Sequence, residues 1–215
     1  MKFDYNDIKR AQESNLWTIG NNCLYNLCES HPLHNDKQEF IAKIWLIGRT
    51  YSASIERRKD NTNISNDNFY EVVIGEGILK VGSEIDEAIS SLKNYSRVSQ
   101  ENIEQILELH RLLTNTFEEL TGMSKRSLAS KYLHFHLPNL FYIYDSRAKS
   151  AINKVYRNNK ELKMRMDFGF EVGVYDEEYQ KFVLKMYEFN LEIETQYSTW
   201  LLPREMDNLL LKFNV

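Results

Sequence analysis

The residues best able to do chemistry in this chain lie in one stretch, LTGMSKRSLASKYLHFHLPNLFYIYDSRAKSAI, residues 120–152. Gly122 falls between two helical patterns and can take backbone geometry that other residues resist. A turn over Gly122, Met123 and Ser124 leaves the amides of Ser124, Lys125 and Arg126 at the start of the next helix. Such amides, with the helix dipole behind them, form an anion site. That helix runs to about residue 136, where Leu137-Pro138-Asn139 ends it. Phe141-Tyr142-Ile143-Tyr144 then leads to Asp145, placed as the N-cap of SRAKSAINKVY. A carboxylate is thereby set close to a turn that grips phosphate. The plainer reading of Asp145 is a cap alone, worth about 1 kcal/mol.

Other reactive residue types are less well arranged. Cys23, Cys28, His31 and His34 are close in sequence and are all zinc-ligand types. Their spacing is unlike that of common zinc modules, and no metal is expected. His134 and His136 diverge on a helix and are expected to be packed or at the surface. Residues 55–59, IERRK, read as a solvated helix end within reach of phosphate. There is no phosphate-binding loop of the Gly-x-x-x-x-Gly-Lys type, no dinucleotide fingerprint, no Gly-x-Ser-x-Gly and no His-Glu-x-x-His.

Charge points the same way as the turn. The chain is −4 overall, yet residues 121–165 hold ten basic and two acidic side chains, +8 against −12 elsewhere. Asymmetry of that size can mark a surface for a polyanion. Hydrophobic content of 42% and charged content of 27% fit a soluble globular protein. No apolar run reaches the roughly 18–20 residues that span a bilayer, so no membrane role is expected. The first fifteen residues lack an apolar core, so they are no signal peptide. Two cysteines make no disulfide framework, and a reducing, cytoplasmic setting is expected.

The elements that must position these residues are helical. Residues 7–30 read as one helix or two short ones. DKQEFIAKIWLIGRTYSASIERRK (36–59) is expected to carry Phe40, Ile41, Ile44, Leu46, Ile47, Tyr51 and Ile55 on one side. Residues 60–68 are a polar, Asn-rich loop. Residues 69–82 are ambiguous: Val72-Val73-Ile74 favours strand and leaves room for one short hairpin, but no partner strand stands out. Ser83 and Asp86 have capping-box spacing. Ser99 is the expected N-cap of a helix over 99–120, with Ile103, Ile106, Leu107, Leu113 and Phe117 on one side. A long amphipathic helix over 177–198 and a short last one starting at Pro203 follow. The economical fold is all-α, roughly nine helices by their periodicity, in one compact unit over 1–215. Two subdomains with residues 120–152 at their cleft are compatible with that.

Here the chain resembles the helix-hairpin-helix DNA glycosylase superfamily, in particular bacterial 8-oxoguanine-glycosylase-like proteins. The hairpin of that family is apolar-x-Gly-apolar-Gly, often with a Lys, then an apolar helix and a strand-like run ending in an essential Asp. Leu120, Gly122, Met123 and Ser124 stand at the hairpin positions and Asp145 at the Asp position. Arg126, nineteen residues before Asp145, stands where many members have Lys. The end of the 45–54 helix, WLIGRTYSAS, is similar to the family's early helix that faces DNA.

The resemblance implies a helix-hairpin-helix glycosylase-like bundle acting on double-stranded DNA as a monomer. It also implies a DNA base-excision glycosylase that flips out a modified base, with an oxidised purine, or a modified base in foreign DNA as in phage defence, as the target. Asp145 would stabilise the positive charge that builds on the sugar and activate water, with Lys125 and Arg126 beside it. Gly122, Met123, Ser124, Lys131, Arg147 and Arg49 would contact DNA, and Trp45, Tyr51, Phe141 or Tyr144 would stack on the base. Ser124 replaces the second hairpin Gly. Arg126 cannot form a Schiff base, whereas Lys125 can only if its pKa is lowered. Base removal without strand cleavage is therefore expected. No cofactor is implied, because an iron–sulfur cluster takes four Cys. The rival expectation is a non-catalytic module of the same fold, in which Asp145 is only a cap.

Overall fold

Aspartates start several of the helices. The Asp4 carboxylate accepts from the Asp7 amide at 2.9 Å and the Asp7 carboxylate accepts back from the Asp4 amide, a complete capping box. Asp36 accepts from Gln38 and Glu39, Asp145 from Arg147 and Ala148, and Asp176 from Tyr179. Each short carboxylate takes amides that the first helical turn leaves without partners. The computed structural model describes residues 4–13, 17–57, 68–158, 169 and 173–211.

The elements in chain order are α1 (Tyr5–Gln12), α2 (Thr18–Ser30), α3 (Lys37–Thr50), a π-helical segment (Phe69–Gly75) running into α4 (Glu76–Leu79), and α5 (Gly82–Leu92). Then follow α6 (Ile103–Thr121), α7 (Arg126–His136), α8 (Ser146–Asn158), α9 (Glu177–Tyr197) and α10 (Pro203–Leu211). The described residues thus form ten α-helices and no strand, one helix more than the periodicity suggested. The first polar-apolar stretch divides into α1 and α2. Residues 60–67 of the expected loop lie outside the described residues.

Three local expectations are corrected. Residues 69–82 are helical. Among the described residues the β-branched run has no strand to pair with, and Phe69 and Ile74 are buried where the segment packs on α3. Ser83 does not cap α5, which starts at Gly82. Asp86 instead accepts from the His34 amide and from His34 Nδ1 at 2.6 Å. Ser99 is not the cap of α6. It opens a turn in which the Asn102 side chain accepts from the Ser99 amide, and the helix begins at Ile103.

The buried core is continuous from Ile8 in α1 to Leu210 in α10. α6 and α7 pack on each other, α7 also packs on α2 and α3, and α8 packs on both α9 and α10. The first helix, α1, lies against the last, α10. No helix among the described residues is long and apolar enough to cross a membrane.

Candidate functional site

The turn after α6 has the geometry its glycine demands. Gly122 is left-handed at φ 69, and its amide donates to the Glu118 carbonyl at 2.8 Å. Thr121 braces the turn: its hydroxyl donates to the Phe117 carbonyl at 2.7 Å and also meets the Met123 backbone. Ser124 is tolerated in the second glycine position. Among the described residues, positive φ outside glycine occurs only at Ser52 and Ser198. α7 begins with Lys125 as N-cap and no side-chain cap bond.

A cleft of about 340 Å³ opens between this turn and the chain leaving α3. Its walls include Ser52, Ser54, Arg57, Ser124, Arg126 and Tyr144. Ser52, at φ 52, reverses the chain there. Gly48 permits the reversal, because a Cβ at that position would stand 3.0 Å from Ser54 Cα. The chain leaving α3 and the turn at Gly122 thus line one cleft.

Asp145 follows Tyr144, which lines this cleft, and α7 holds that part of the chain in place. Residues 141–145 belong to no helix or strand, so their backbone groups need donors and acceptors from side chains. Ser127, Ser130, Lys131 and His134 supply them from one stripe of α7. The Tyr144 carbonyl accepts from Ser127 Oγ at 3.0 Å and from Lys131 Nζ at 2.8 Å. The Tyr144 amide donates to Ser130 Oγ at 3.1 Å. His134 Nδ1 donates to the Phe141 carbonyl at 2.9 Å, so Nε2 accepts from Tyr25 Oη at 2.7 Å. Asp145 follows directly. Its Oδ1 takes the Arg147 and Ala148 amides at 2.9 and 2.8 Å, and its carbonyl takes the first helical bond of α8 from Lys149. Its Oδ2 faces Lys131 Nζ at 3.9 Å, and the side chain is 27% exposed.

Lys131 is the main correction. It does not reach DNA: its side chain is 2% exposed, with Nζ bonded to Ser127 Oγ and the Tyr144 carbonyl. Burial pushes its ammonium down to about 8, against the support of Asp145 and Asp207. Asp207, on α10, is a second buried carboxylate. Burial pushes it up to about 6, against Arg204, whose Nη1 lies 3.4 Å from Oδ2. Arg204 also donates to Tyr51 Oη at 2.9 Å and lies against the Tyr51 and Phe135 rings. The Arg204–Asp207 pair escaped the sequence reading, since 203–211 looks like any short amphipathic helix. Lys131 had a legible signal, the polar stripe 127-130-131-134 on an otherwise apolar helix.

The other expected site residues divide. Lys125 Nζ donates to the Arg57 carbonyl at 2.6 Å, on the cleft wall. Arg126 Nε donates to Asp176 Oδ1 at 2.5 Å, and its guanidinium lies against the Tyr144 ring. Burial alone would raise Asp176, but Arg126 and the Tyr179 amide outweigh it and hold it below its usual value. Arg147 is exposed at the start of α8. Arg49 pairs with Glu56 and lies over the Trp45 ring. Trp45 lines a different groove, with Lys37 and Tyr70, so it is not a stacking partner in this cleft. Phe141 is fully buried and Tyr51 is tied to Asn21 and Arg204, so neither is placed to meet a base. Tyr144 alone of the four aromatics lines the cleft.

The described residues hold no group of three or more metal-ligating side chains. Cys23 is exposed and Cys28 buried, while His34 is engaged by Asp86 and Tyr132. Compared with known proteins, the chain matches no family model, no curated protein and no solved structure.

Proposed function

We propose that the chain is a DNA base-excision glycosylase that works without a lyase step, with Asp145 as its catalytic carboxylate. One observation carries the reading: a partly exposed carboxylate, fixed by two amides and facing a buried ammonium, one residue past Tyr144, which lines a cleft with Arg57, Lys125 and Arg126. Cleaving an N-glycosidic bond builds positive charge on the sugar, and a carboxylate that need not reorganise stabilises it best. Its Oδ2, which takes neither capping amide, is the oxygen to face the sugar and accept a proton from water. Tyr144 and the serine hydroxyls would receive the flipped base, while the turn at Gly122 would hold a phosphate.

Lys125 is directed to the Arg57 carbonyl, and Lys131 is enclosed beneath the Tyr144 backbone. Neither amine is presented to a sugar, which favours base removal alone. The test is a panel of duplexes, each with one modified base, incubated with wild type and D145N. Alkali-dependent breaks made by wild type and not by D145N support the reading. Breaks that form without alkali would overturn its single-step form.

A second reading, a DNA-binding module of the same fold, is favoured by the engagement of Asp145 Oδ1 as a cap. It predicts salt-sensitive binding with no abasic sites, equal in wild type and D145N.

A further inference from the structure

We propose that Asp176 is a positioning residue for DNA binding: from the start of α9 it holds the Arg126 guanidinium over the Tyr144 ring on the wall of the cleft. This rests on the reading of that cleft as a DNA site and adds α9 to it. Asp176 Oδ1 takes two donors, Arg126 Nε at 2.5 Å and the Tyr179 amide at 2.8 Å. One oxygen therefore both caps α9 and grips Arg126. The Asp176 side chain is 4% exposed, whereas that of Arg126 is 28% exposed and lines the cleft. The anchor is thus enclosed and the cation it holds is accessible. An unanchored arginine gives up rotamer freedom when it meets an anion, and an anchored one has already done so. The guanidinium carbon lies 5.7 Å from the Tyr144 ring centre. That ring is met edge-on by Phe182 of α9 at 5.1 Å. Tyr179 Oη, one turn into α9, donates to the Tyr142 carbonyl at 3.1 Å. The first turns of α9 thus brace Arg126, Tyr144 and the chain before Asp145 together. With Nε engaged by Asp176, the fork offers a ligand its Nη edge, and a DNA phosphate is an anion that edge suits.

Ser and Asn cap a helix as Asp does, so substitution separates the two tasks of Asp176. Ser is too short to reach Arg126, and Asn reaches it without charge. Binding of the full chain to a fluorescently labelled, unmodified duplex, read by anisotropy, should weaken about tenfold in D176S and by less in D176N. Net charge alone gives the opposite sign, since removing a carboxylate near a DNA site tightens binding. R126K keeps the charge and loses the fork. It should weaken binding about as much as D176S, and D176S should add nothing in the R126K background. Three results would each overturn the proposal: D176S binding as tightly as wild type or tighter, R126K binding as tightly as wild type, or D176S weakening R126K by a further tenfold. Should D176S fail to fold, D176N takes its place in the same cycle, and unchanged or tighter binding by D176N overturns the proposal. Wild type that binds no duplex overturns it together with the DNA reading. The measurement needs no catalysis. The expected losses of affinity in a protein that leaves no abasic sites would refute the glycosylase reading and leave the anchoring of Arg126 standing. Abasic sites with equal affinities in wild type and D176S would do the reverse.

Discussion

Replacing Lys131 by Met tests whether the ammonium is held at a net cost. Its proton affinity falls from the ordinary 10.5 to about 8, which corresponds to roughly 3 kcal/mol at about 1.4 kcal/mol per tenfold change. The sign follows from proton counting. Below about pH 8 both the folded and the unfolded lysine are charged, and the folded state bears the full penalty. Between about 8 and 10.5 the folded lysine is neutral while the unfolded one still binds a proton, so wild-type stability rises with pH from this group. Met fills a similar volume and has no such dependence. It loses bonds to Ser127 and the Tyr144 carbonyl worth about 1–2 kcal/mol, but that carbonyl keeps Ser127 Oγ at 3.0 Å. K131M should therefore be about as stable as wild type near neutral pH. By urea unfolding, wild type should gain about 2.5 kcal/mol on K131M between pH 7 and pH 10. Other groups titrating in that range affect both proteins and cancel. Parallel stability curves would refute the argument that burial dominates at Lys131.

Asn caps a helix as well as Asp, but D145N also withdraws the carboxylate opposite the buried Lys131, so it should cost about 1 kcal/mol while removing activity, and D145A about 1 kcal/mol more by thermal melting. A Cβ on Gly82 would stand 2.4 Å from the His34 carbonyl oxygen, and one on Gly20 would meet nothing within 4 Å. G82A should therefore cost about 1–3 kcal/mol or more, and G20A should be neutral or stabilising by up to about 1 kcal/mol. Burial pushes His34 down to about 4 and His110 down to about 3. Their contribution is complete above the unfolded value of 6.5 and is lost as pH falls through it, about 2 kcal/mol for each by pH 5. Unfolding midpoints that stay level from pH 7 to pH 5 would contradict this.

Residues whose structural role is set by their neighbours in sequence were legible. Gly122 ends a helix, Asp145 caps one and Pro203 opens one, because each acts within a single turn of backbone. Residues whose role is set by distant partners were not. Asp86 has capping-box spacing after Ser83, but the enclosed His34 ring competes for its carboxylate. Val72-Val73-Ile74 has strand propensity, but the described residues hold no second strand to express it. Lys131 shows in the sequence only as one member of the polar stripe 127-130-131-134, and its partner appears when residues 141–145 are laid beside α7. The Tyr144 carbonyl then needs a donor more than solvent needs the ammonium. Arg204 meets Tyr51 only because α10 returns to the end of α3. The capping role of Asp145 was thus readable from sequence, while the ammonium that faces it comes from another helix.

The most direct measurement is the release of free base from DNA, by mass spectrometry, after incubating wild type and D145N with genomic and phage DNA of differing base modification. The account predicts that wild type releases one modified base, leaving abasic sites in equal amount, and that D145N binds the same DNA and releases none. Equal release by the two proteins would contradict the role given to Asp145. Binding by both, with no base released from any DNA, would make the cleft a binding site alone.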